Sequence, residues 1–276
     1  MMKINFAGGE PFLEPRLLGQ MCQFCKQELK LCVSIVSNGS LIKQKWMETY
    51  GQFVDMLAIS CDSFDEEVNK KIGRSANGKP GNQILHARQA AEWCRQFGID
   101  FKINTVVNTY NWEENMNQRI SELNPVRWKV FQCLIIEGEN DGEQSLRDAR
   151  KFLITDPQFK SFLSRHSDRK CLVDEDNSTM RTSYLILDEY MRFLDCSGNS
   201  KKPGPSIIHT DVHEALKLAG FDEDKFRKRG GDFFIKVWLA ANAGASSATD
   251  PPKSGGCSSS GTSGSSIGDI EDIASP

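Results

Sequence analysis

Short apolar runs alternate with amphipathic segments along the first 140 residues of the chain. Five strand-like runs occur, at residues 3–7, 33–37, 56–60, 101–107 and 127–136. The segments between them carry apolar side chains at helical spacing, at residues 62–72, 82–97 and 111–123. Strands that alternate with helices at a period of roughly 25 residues are typical of βαβ units. The pattern therefore predicts an α/β fold with a parallel sheet.

Local signals refine this prediction. Ser63 is the candidate N-cap of the helix at 62–72, because acidic residues follow it in the first turn. Residues 183–196 predict either a β-hairpin that turns at Asp188 and Glu189, or an extra strand with its return. Residues 211–221 predict a helix that Gly220 closes.

The end of the chain differs in composition from the rest. Sixteen of the 34 residues from 243 to 276 are Gly or Ser, with almost no large apolar side chains. Such a segment cannot bury enough surface to offset the entropy of ordering it. We therefore expect residues 240–276 to be a disordered tail and the ordered part to end near residue 239.

Composition and charge narrow the class of protein. With 34 basic and 37 acidic residues among 276, the net charge is −3, which argues against nucleic acid as a partner but permits a local basic pocket. No apolar run reaches transmembrane length, and the first residues lack a signal-peptide pattern. The nine cysteines are scattered through apparent core segments, which favours reduced thiols over disulfides.

Polar and cationic side chains interrupt the predicted strands at alternate positions. Residues i and i+2 of a strand share a face, so each such pair points to one side of the sheet. These pairs are Lys3 with Asn5, Lys102 with Asn104, and Arg127 with Lys129. If helices cover the apolar side, the cations lie together on the inner face of a curved sheet.

Cations buried together need a negative partner, because an unpaired buried charge is costly. Internal pairing with Glu10 or Glu137, or exposure of the cations at a sheet edge, is one explanation. The other is a polyanionic ligand, most simply a di- or triphosphate, since a unit charge pair at about 4 Å is worth about 4 kcal/mol at an effective dielectric near 20. Four Lys and Arg side chains suit a triphosphate.

The turn after the first strand carries further candidate chemistry. Gly8 and Gly9 allow a sharp turn and close approach of a ligand to the backbone, and Glu10 offers a carboxylate to a ligand ammonium. α/β barrels place their chemistry at this carboxyl end of the strands. The polar runs at 37–40 and 59–63 follow the next two strands at the same end.

Several of these blocks resemble a known family. Gly-Gly-Glu-Pro-Phe after a strand is similar to the S-adenosylmethionine (SAM) motif of radical SAM enzymes. Together with it, five longer blocks resemble the viperin family between about Lys3 and Gly231: VSIVSNGSLI, DMLAISCDSFDEEVN, FKINTVVN, NPVRWKVFQCLIIEGEN and SYLILDEYMRFLDC.

The resemblance implies a fold and an activity. The expected fold is a partial (β/α)6 barrel over residues 1–140, with residues 141–239 completing the nucleotide pocket. The family holds a [4Fe–4S] cluster that cleaves SAM to a 5′-deoxyadenosyl radical. That radical takes the 4′-hydrogen of CTP, and loss of the 3′-hydroxyl gives 3′-deoxy-3′,4′-didehydro-CTP, an antiviral chain terminator.

The resemblance also assigns roles to residues by position. The residues expected to hold SAM are Gly8, Gly9 and Glu10, at its ammonium, together with Asn38, Ser60 and Arg74. The residues expected to line the nucleotide pocket are Lys3, Lys102, Asn104, Arg127, Lys129, Glu175, Lys201 and Arg229. Tyr184 matches the family tyrosine proposed to return a hydrogen to the product radical; without the family it is equally an ordinary strand aromatic.

The chain departs from the family at its metal site. The family uses three cysteines in a CxxxCxxC loop upstream of the Gly-Gly-Glu turn, and this sequence contains no such loop. We therefore expect no metal ligands here and interpret the chain as a barrel without its first βα unit, inactive by itself. Cys22 and Cys25 lie in a helical pattern, and the remaining candidates are expected to be core residues: Cys32, Cys61, Cys94 and Cys133. His209 and His213 are interpreted as a solvated helix end.

The family's other features are also not reproduced. Its N-terminal helix, which holds it on the endoplasmic reticulum and lipid droplets, is not seen in this sequence, so the chain as written is predicted to be cytoplasmic. The family receives its cluster from the cytosolic iron–sulfur assembly machinery through a terminal tryptophan, whereas Trp238 is internal. Two alternatives stay open: a non-catalytic nucleotide-binding or scaffold variant, and a radical SAM enzyme with another phosphorylated substrate.

Overall fold

Six parallel strands form the central sheet of the computed structural model, in the order in which they occur along the chain. They are β1 (Lys3–Phe6), β2 (Cys32–Ser37), β3 (Met56–Ser60), β4 (Asp100–Val107), β5 (Arg127–Gln132) and β6 (Leu172–Glu175). The structure describes residues 2–74, 82–137, 140–142, 148–180, 182–228 and 231. The predicted tail at 240–276 and Arg229 lie outside these residues, which all belong to one unit, Met1–Trp238.

Helices alternate with the strands and pack on one side of the sheet. They are α1 (Pro15–Gln27), α2 (Gln44–Tyr50), α3 (Glu66–Ile72), α4 (Gln83–Phe97), α5 (Asn117–Leu123) and α6 (Asp156–Arg165). The main core lies between these helices and the apolar strand positions, such as Ile35, Ile103 and Trp128. The strand–helix alternation predicted from the sequence is confirmed.

A smaller antiparallel sheet follows the parallel one along the chain. The short helix α7 (Asn177–Met180) leads into it, and its strands are β7 (Ile186–Leu187), β8 (Arg192–Asp195) and β9 (Lys202–Ser206). Two short helices complete this region, α8 (Val212–Lys217) and α9 (Glu223–Lys228). The hairpin alternative for residues 183–196 is confirmed, because Leu187 pairs with Phe193 across a turn that contains Asp188.

Three predicted element boundaries are wrong, each because a side chain forms hydrogen bonds with backbone groups near the end of the element. The N-cap of α3 is Asp65, which accepts from two backbone amides, whereas the Ser63 hydroxyl donates to Glu114 at 2.6 Å. β5 ends at Gln132 because Asn140 bonds the backbone of Leu134 and Ile136. α5 begins six residues after 111, because turns at Asn108 and Asn111 precede it.

The apolar positions of the helices face inward in the expected way. Cys32, Cys61, Cys94 and Cys133 are buried, as predicted for core residues, and Cys22 and Cys25 are buried on the predicted helix α1. Across the described ranges, none of the helices has both the length and the apolar character needed to cross a bilayer.

His166 links α6 to α5 from within the core and gives the fold a pH dependence. Its ring is fully buried, Nε2 accepts from the Met116 amide at 2.9 Å, and Nδ1 donates to the Phe162 carbonyl at 2.8 Å. Burial lowers the pKa of His166, and Arg165 and Arg169 lower it further. The neutral ring is therefore the form that the fold requires.

We expect the free energy of unfolding to fall as the pH drops below about 6.5, because the unfolded chain binds the His166 proton before the folded chain does. Urea unfolding between about pH 7.5 and 5.5 measures this slope. His166→Gln should lower stability but flatten the slope, and His209→Gln, at an exposed histidine, should keep it. Equal slopes in both variants would contradict this role.

Candidate functional site

The strand register brings the predicted cations to one face of the parallel sheet. Lys102 pairs with Arg127 and Asn104 pairs with Lys129 across β4 and β5. Lys3 lies opposite Cys32 at the start of β1, on the same face as the others by the alternation of the strands. The residues between them in the same strands, such as Ile103 and Trp128, face the helices instead. The inner-face placement predicted from the spacing is confirmed.

These cations are buried close enough to act on one another. Arg127 and Lys129 are each 6% exposed. Burial is the main cause that holds the pKa of Lys102 well below its ordinary value, followed by the charges of Lys129, Lys3 and Arg127. Exposure at a sheet edge, one of the explanations considered for the sequence, therefore does not describe this cluster.

The internal anion beside the cluster is Glu175 rather than Glu10 or Glu137. Glu175 is fully buried at the end of β6 and forms an ion pair with Lys129. The Tyr184 hydroxyl donates to the same carboxylate, and Lys129 Nζ lies 3.2 Å from Tyr184 Oη. The structure thus brings Lys129, which the strand alternation placed on this face, together with Glu175 and Tyr184, which the sequence placed in the pocket only through the family resemblance.

The Gly-Gly-Glu turn lies at the carboxyl end of β1. Gly8 and Gly9 have φ of +91° and +52°, and a Cβ at either position would meet no atom within 4 Å. The turn is therefore open on that side, and its backbone is exposed. A left-handed pair of this kind favours glycine at both positions.

Glu10 ties this turn to the end of the next strand. Its carboxylate accepts from Ser37 Oγ at 2.7 Å, from the Asn38 amide at 2.8 Å and from the Phe12 amide at 3.2 Å. A carboxylate has about four acceptor positions, so three of them are used within the fold. One more donor, such as a ligand ammonium, fits this group.

The ends of β2 and β3 are joined by a residue that sequence reasoning missed. Gln83 Nε2 donates to the Ser60 carbonyl at 2.5 Å and to the Asn38 carbonyl at 3.4 Å, so it spans the two predicted cofactor residues. Nothing in the pattern around Gln83 distinguishes it from an ordinary first residue of a helix. Its role depends on a contact between segments 45 residues apart.

Arg74 is positioned by a buried acid. Its Nε lies 2.7 Å from Asp62 Oδ2, and Asp62 Oδ1 accepts from the Val106 amide at 2.9 Å. The carboxylate of Asp62 raises the pKa of Arg74, so the guanidinium is charged. Asp62 belongs to the polar run at 59–63, but the sequence did not indicate its pairing with Arg74.

Asn104 stands where the two groups of predicted residues meet. It lies opposite Ser60 on one side and opposite Lys129 on the other. Its side-chain oxygen is buried and has no hydrogen-bond partner among the described residues. A buried unsatisfied oxygen is costly, so this atom is suited to accept from a bound ligand.

Two predicted phosphate contacts come from the C-terminal part. Lys201 follows a short bridge between Ser200 and Glu137, which is fixed by the Glu137 amide donating to the Asn199 carbonyl at 3.0 Å. Lys201 thus follows directly on a residue that pairs with Glu137, which comes after the end of β5 along the chain. Arg229 is among the residues that the structure does not describe.

The described cysteines do not fit an iron–sulfur cluster. Burial raises the pKa of Cys22 to about 12 and also raises the pKa of Cys25, and both side chains lie on the buried face of α1. In the ranges that the structure covers, no three His, Cys, Asp or Glu side chains converge as metal ligands. His209 and His213 are exposed.

Known proteins with similar sequences define the family. Residues 3–117 match the model of the Radical SAM superfamily. The S-adenosylmethionine-dependent nucleotide dehydratase RSAD2 of Oncorhynchus mykiss is 56% identical over 243 residues, which cover 87% of this chain and 68% of the relative. Its counterpart in Danio rerio is 56% identical, with coverage of 88% and 67%. The S-adenosylmethionine-dependent nucleotide dehydratase of Lacinutrix mariniflava is 38% identical, with coverage of 83% and 47%.

A solved structure agrees with the fold. Native anSMEcpe with bound AdoMet superposes with a TM-score of 0.56 at 15% identity, covering 80% of this chain and 68% of that one. The matched family model and the two relatives at 56% identity show that the chain is a radical SAM protein. Within that superfamily it belongs to the S-adenosylmethionine-dependent nucleotide dehydratases, the viperin family that its motifs resemble.

The link that Glu10 makes between β1 and β2 can be measured directly. Glu10→Ala leaves the Asn38 and Phe12 amides without their acceptor, so we expect a loss of about 1–3 kcal/mol in the free energy of unfolding. Urea unfolding measures this loss. Glu14→Ala removes an exposed acid at the start of α1 that makes no capping bond, and serves as the control. Equal stability of the two variants would contradict the role of Glu10.

Proposed function

We propose that the described residues form the SAM-binding edge and the nucleotide pocket of a radical SAM nucleotide dehydratase that acts on CTP. The observation that carries this proposal is the cluster of Lys3, Lys102, Arg127 and Lys129 on the inner face of the sheet, where burial and then the three neighbouring cations lower the pKa of Lys102. Such a cluster stabilises a polyanion far better than a neutral ligand. The names of the relatives, nucleotide dehydratases that depend on SAM, agree with it.

The SAM site that we propose lies at the ends of the first three strands. Glu10 would accept from the ligand ammonium with its remaining acceptor position, beside the open backbone of Gly8 and Gly9. Asn38, Ser60 and Arg74 would hold the rest of the molecule. Bound there, SAM supplies the 5′-deoxyadenosyl radical of this superfamily when it is reduced by a [4Fe–4S] cluster. We assign that cluster no ligand among the described residues.

The nucleotide site that we propose lies on the adjacent inner face. Its phosphate contacts are the cationic residues Lys3, Lys102, Arg127, Lys129, Lys201 and Arg229. Asn104 would bind where cofactor and nucleotide meet, because its buried oxygen lacks a partner in the described part of the chain. Tyr184 would present its hydroxyl to the nucleotide from beside Lys129. The product would be 3′-deoxy-3′,4′-didehydro-CTP.

Three further proposals rest on the family resemblance. They are a role in antiviral defence, delivery of the cluster by the cytosolic iron–sulfur assembly machinery, and association of the whole protein with the endoplasmic reticulum and lipid droplets. A non-catalytic nucleotide-binding protein is the alternative function. The observation behind this alternative is that, within the described residues, no three His, Cys, Asp or Glu side chains converge as metal ligands.

Calorimetric titration of the chain with CTP tests the pocket. We expect CTP and tripolyphosphate to bind and cytidine to bind far more weakly, since the phosphates make the main contacts. Lys102→Met should weaken CTP binding about tenfold to a hundredfold, because it removes one buried cation. Lys45→Met, at an exposed lysine of α2, is the control and should not change affinity.

Two results would contradict the proposal. One is equal affinity for CTP and cytidine, which would mean that the inner-face cations do not hold phosphate. The other is CTP binding that Lys102→Met leaves unchanged. To separate the dehydratase from the non-catalytic alternative, a CxxxCxxC segment is fused ahead of residue 1 and the protein is reconstituted anaerobically. A dehydratase should then take up iron and sulfide and convert CTP, and a cluster without chemistry on CTP would favour the alternative.

A further inference from the structure

Glu175 joins two pocket residues through separate oxygens of one carboxylate. It is the last residue of β6 and is fully buried. The Lys129 ammonium donates to Oε1, and the Tyr184 hydroxyl donates to Oε2. With the 3.2 Å approach of Lys129 to Tyr184, the three groups form a closed triangle. The position of Lys129 in the pocket therefore depends on Glu175.

Aromatic rings restrict Lys129 further. Its Nζ lies 5.4 Å from the ring centre of Tyr184 and 5.7 Å from that of Phe131, within the range of cation–π attraction. Phe131 lies opposite Glu175 in the register of β5 and β6. The ammonium is thus held at one place, where a bound phosphate and the Glu175 carboxylate act on the same charge.

The charge of Glu175 reaches beyond this triangle. It raises the pKa of Lys102, against the three cations that lower it. One buried anion therefore neutralises part of a cluster of Lys3, Lys102, Arg127 and Lys129. Any anion bound by that cluster meets the repulsion of Glu175 at short range, where the protein screens charge poorly.

We propose that Glu175 is a positioning residue that fixes Lys129 beside Tyr184 and competes with bound phosphate for Lys129, which limits the anion affinity of the pocket. The inference rests on the proposed function only in taking phosphate as the ligand. A dehydrated nucleotide keeps all its phosphates, so a pocket of cations alone would retain product as firmly as substrate. An internal competitor lowers both affinities and favours release.

Glu175→Gln tests the competition with tripolyphosphate as the probe. The amide keeps the shape of the side chain and removes its charge, so we expect tripolyphosphate to bind about tenfold more tightly by calorimetry. Loss of a merely structural contact would weaken binding instead. Asp174→Asn removes the same charge from the adjacent, exposed position of β6 and should leave affinity unchanged. Unchanged or weaker binding by Glu175→Gln overturns the proposal.

A double-mutant cycle shows whether Glu175 acts through Lys129. In a Lys129→Met background, adding Glu175→Gln should raise tripolyphosphate affinity by clearly less than tenfold, because the competition for Lys129 is gone and only the repulsion by Glu175 through the rest of the cluster is relieved. A tenfold gain in that background overturns the proposal. The double variant removes both partners of the buried pair, so it provides the comparison even where Glu175→Gln alone fails to fold.

Parallel titrations with CTP separate this inference from the proposed function. If Glu175 contacts the nucleoside instead, Glu175→Gln weakens CTP binding and leaves tripolyphosphate binding unchanged, which overturns the inference alone. If tripolyphosphate binds more tightly to the variant while CTP does not bind to the wild-type chain, the inference holds and the nucleotide function fails.

Discussion

The concentration of positive charge on one face of a parallel sheet is the constraint on which the rest of the site depends. Lys102 lies among three further cations, and its lowered pKa records both burial and their repulsion. A fold gains nothing in stability from such a cluster, because buried like charges raise its free energy. Natural proteins keep such arrangements where a ligand uses them. Glu175, the buried carboxylate that pairs with Lys129, offsets only part of this charge.

The parallel sheet places this cluster next to the SAM site that we propose. All six strands run in the same direction, so their carboxyl ends meet at one edge. Glu10 and Gln83 fasten the ends of the first three strands to one another, and Asn104 lies between that edge and Lys129. A cofactor at the edge and a nucleotide on the inner face would therefore meet at Asn104.

The alternation of apolar and polar positions was enough to predict the first five strands of the parallel sheet and the face that carries the cations, but not β6. The spacing of apolar residues is a local property of the sequence. It predicts the fold because each helix and the sheet bury one side, so that apolar side chains recur at the period of the element. The contacts that complete the site are not local: Gln83 reaches Ser60 and Asn38, and Glu175 reaches Lys129 across 46 residues. Side chains that bond the backbone also shift the ends of elements from their predicted positions: Asp65 sets the start of α3, and Asn140 bonds the backbone after β5. Such pairings depend on the folded chain and leave no periodic signal.

Proton uptake on nucleotide binding tests most directly whether the inner-face cluster is an anion site. A polyanion beside Lys102 would return its lowered pKa toward the ordinary value, so binding should take up protons. Calorimetric titration with CTP between about pH 6 and 9, in buffers of different ionisation enthalpy, measures the number of protons taken up per CTP bound. The account predicts net uptake that Lys102→Met abolishes. Binding without uptake, or uptake that persists in Lys102→Met, would contradict it.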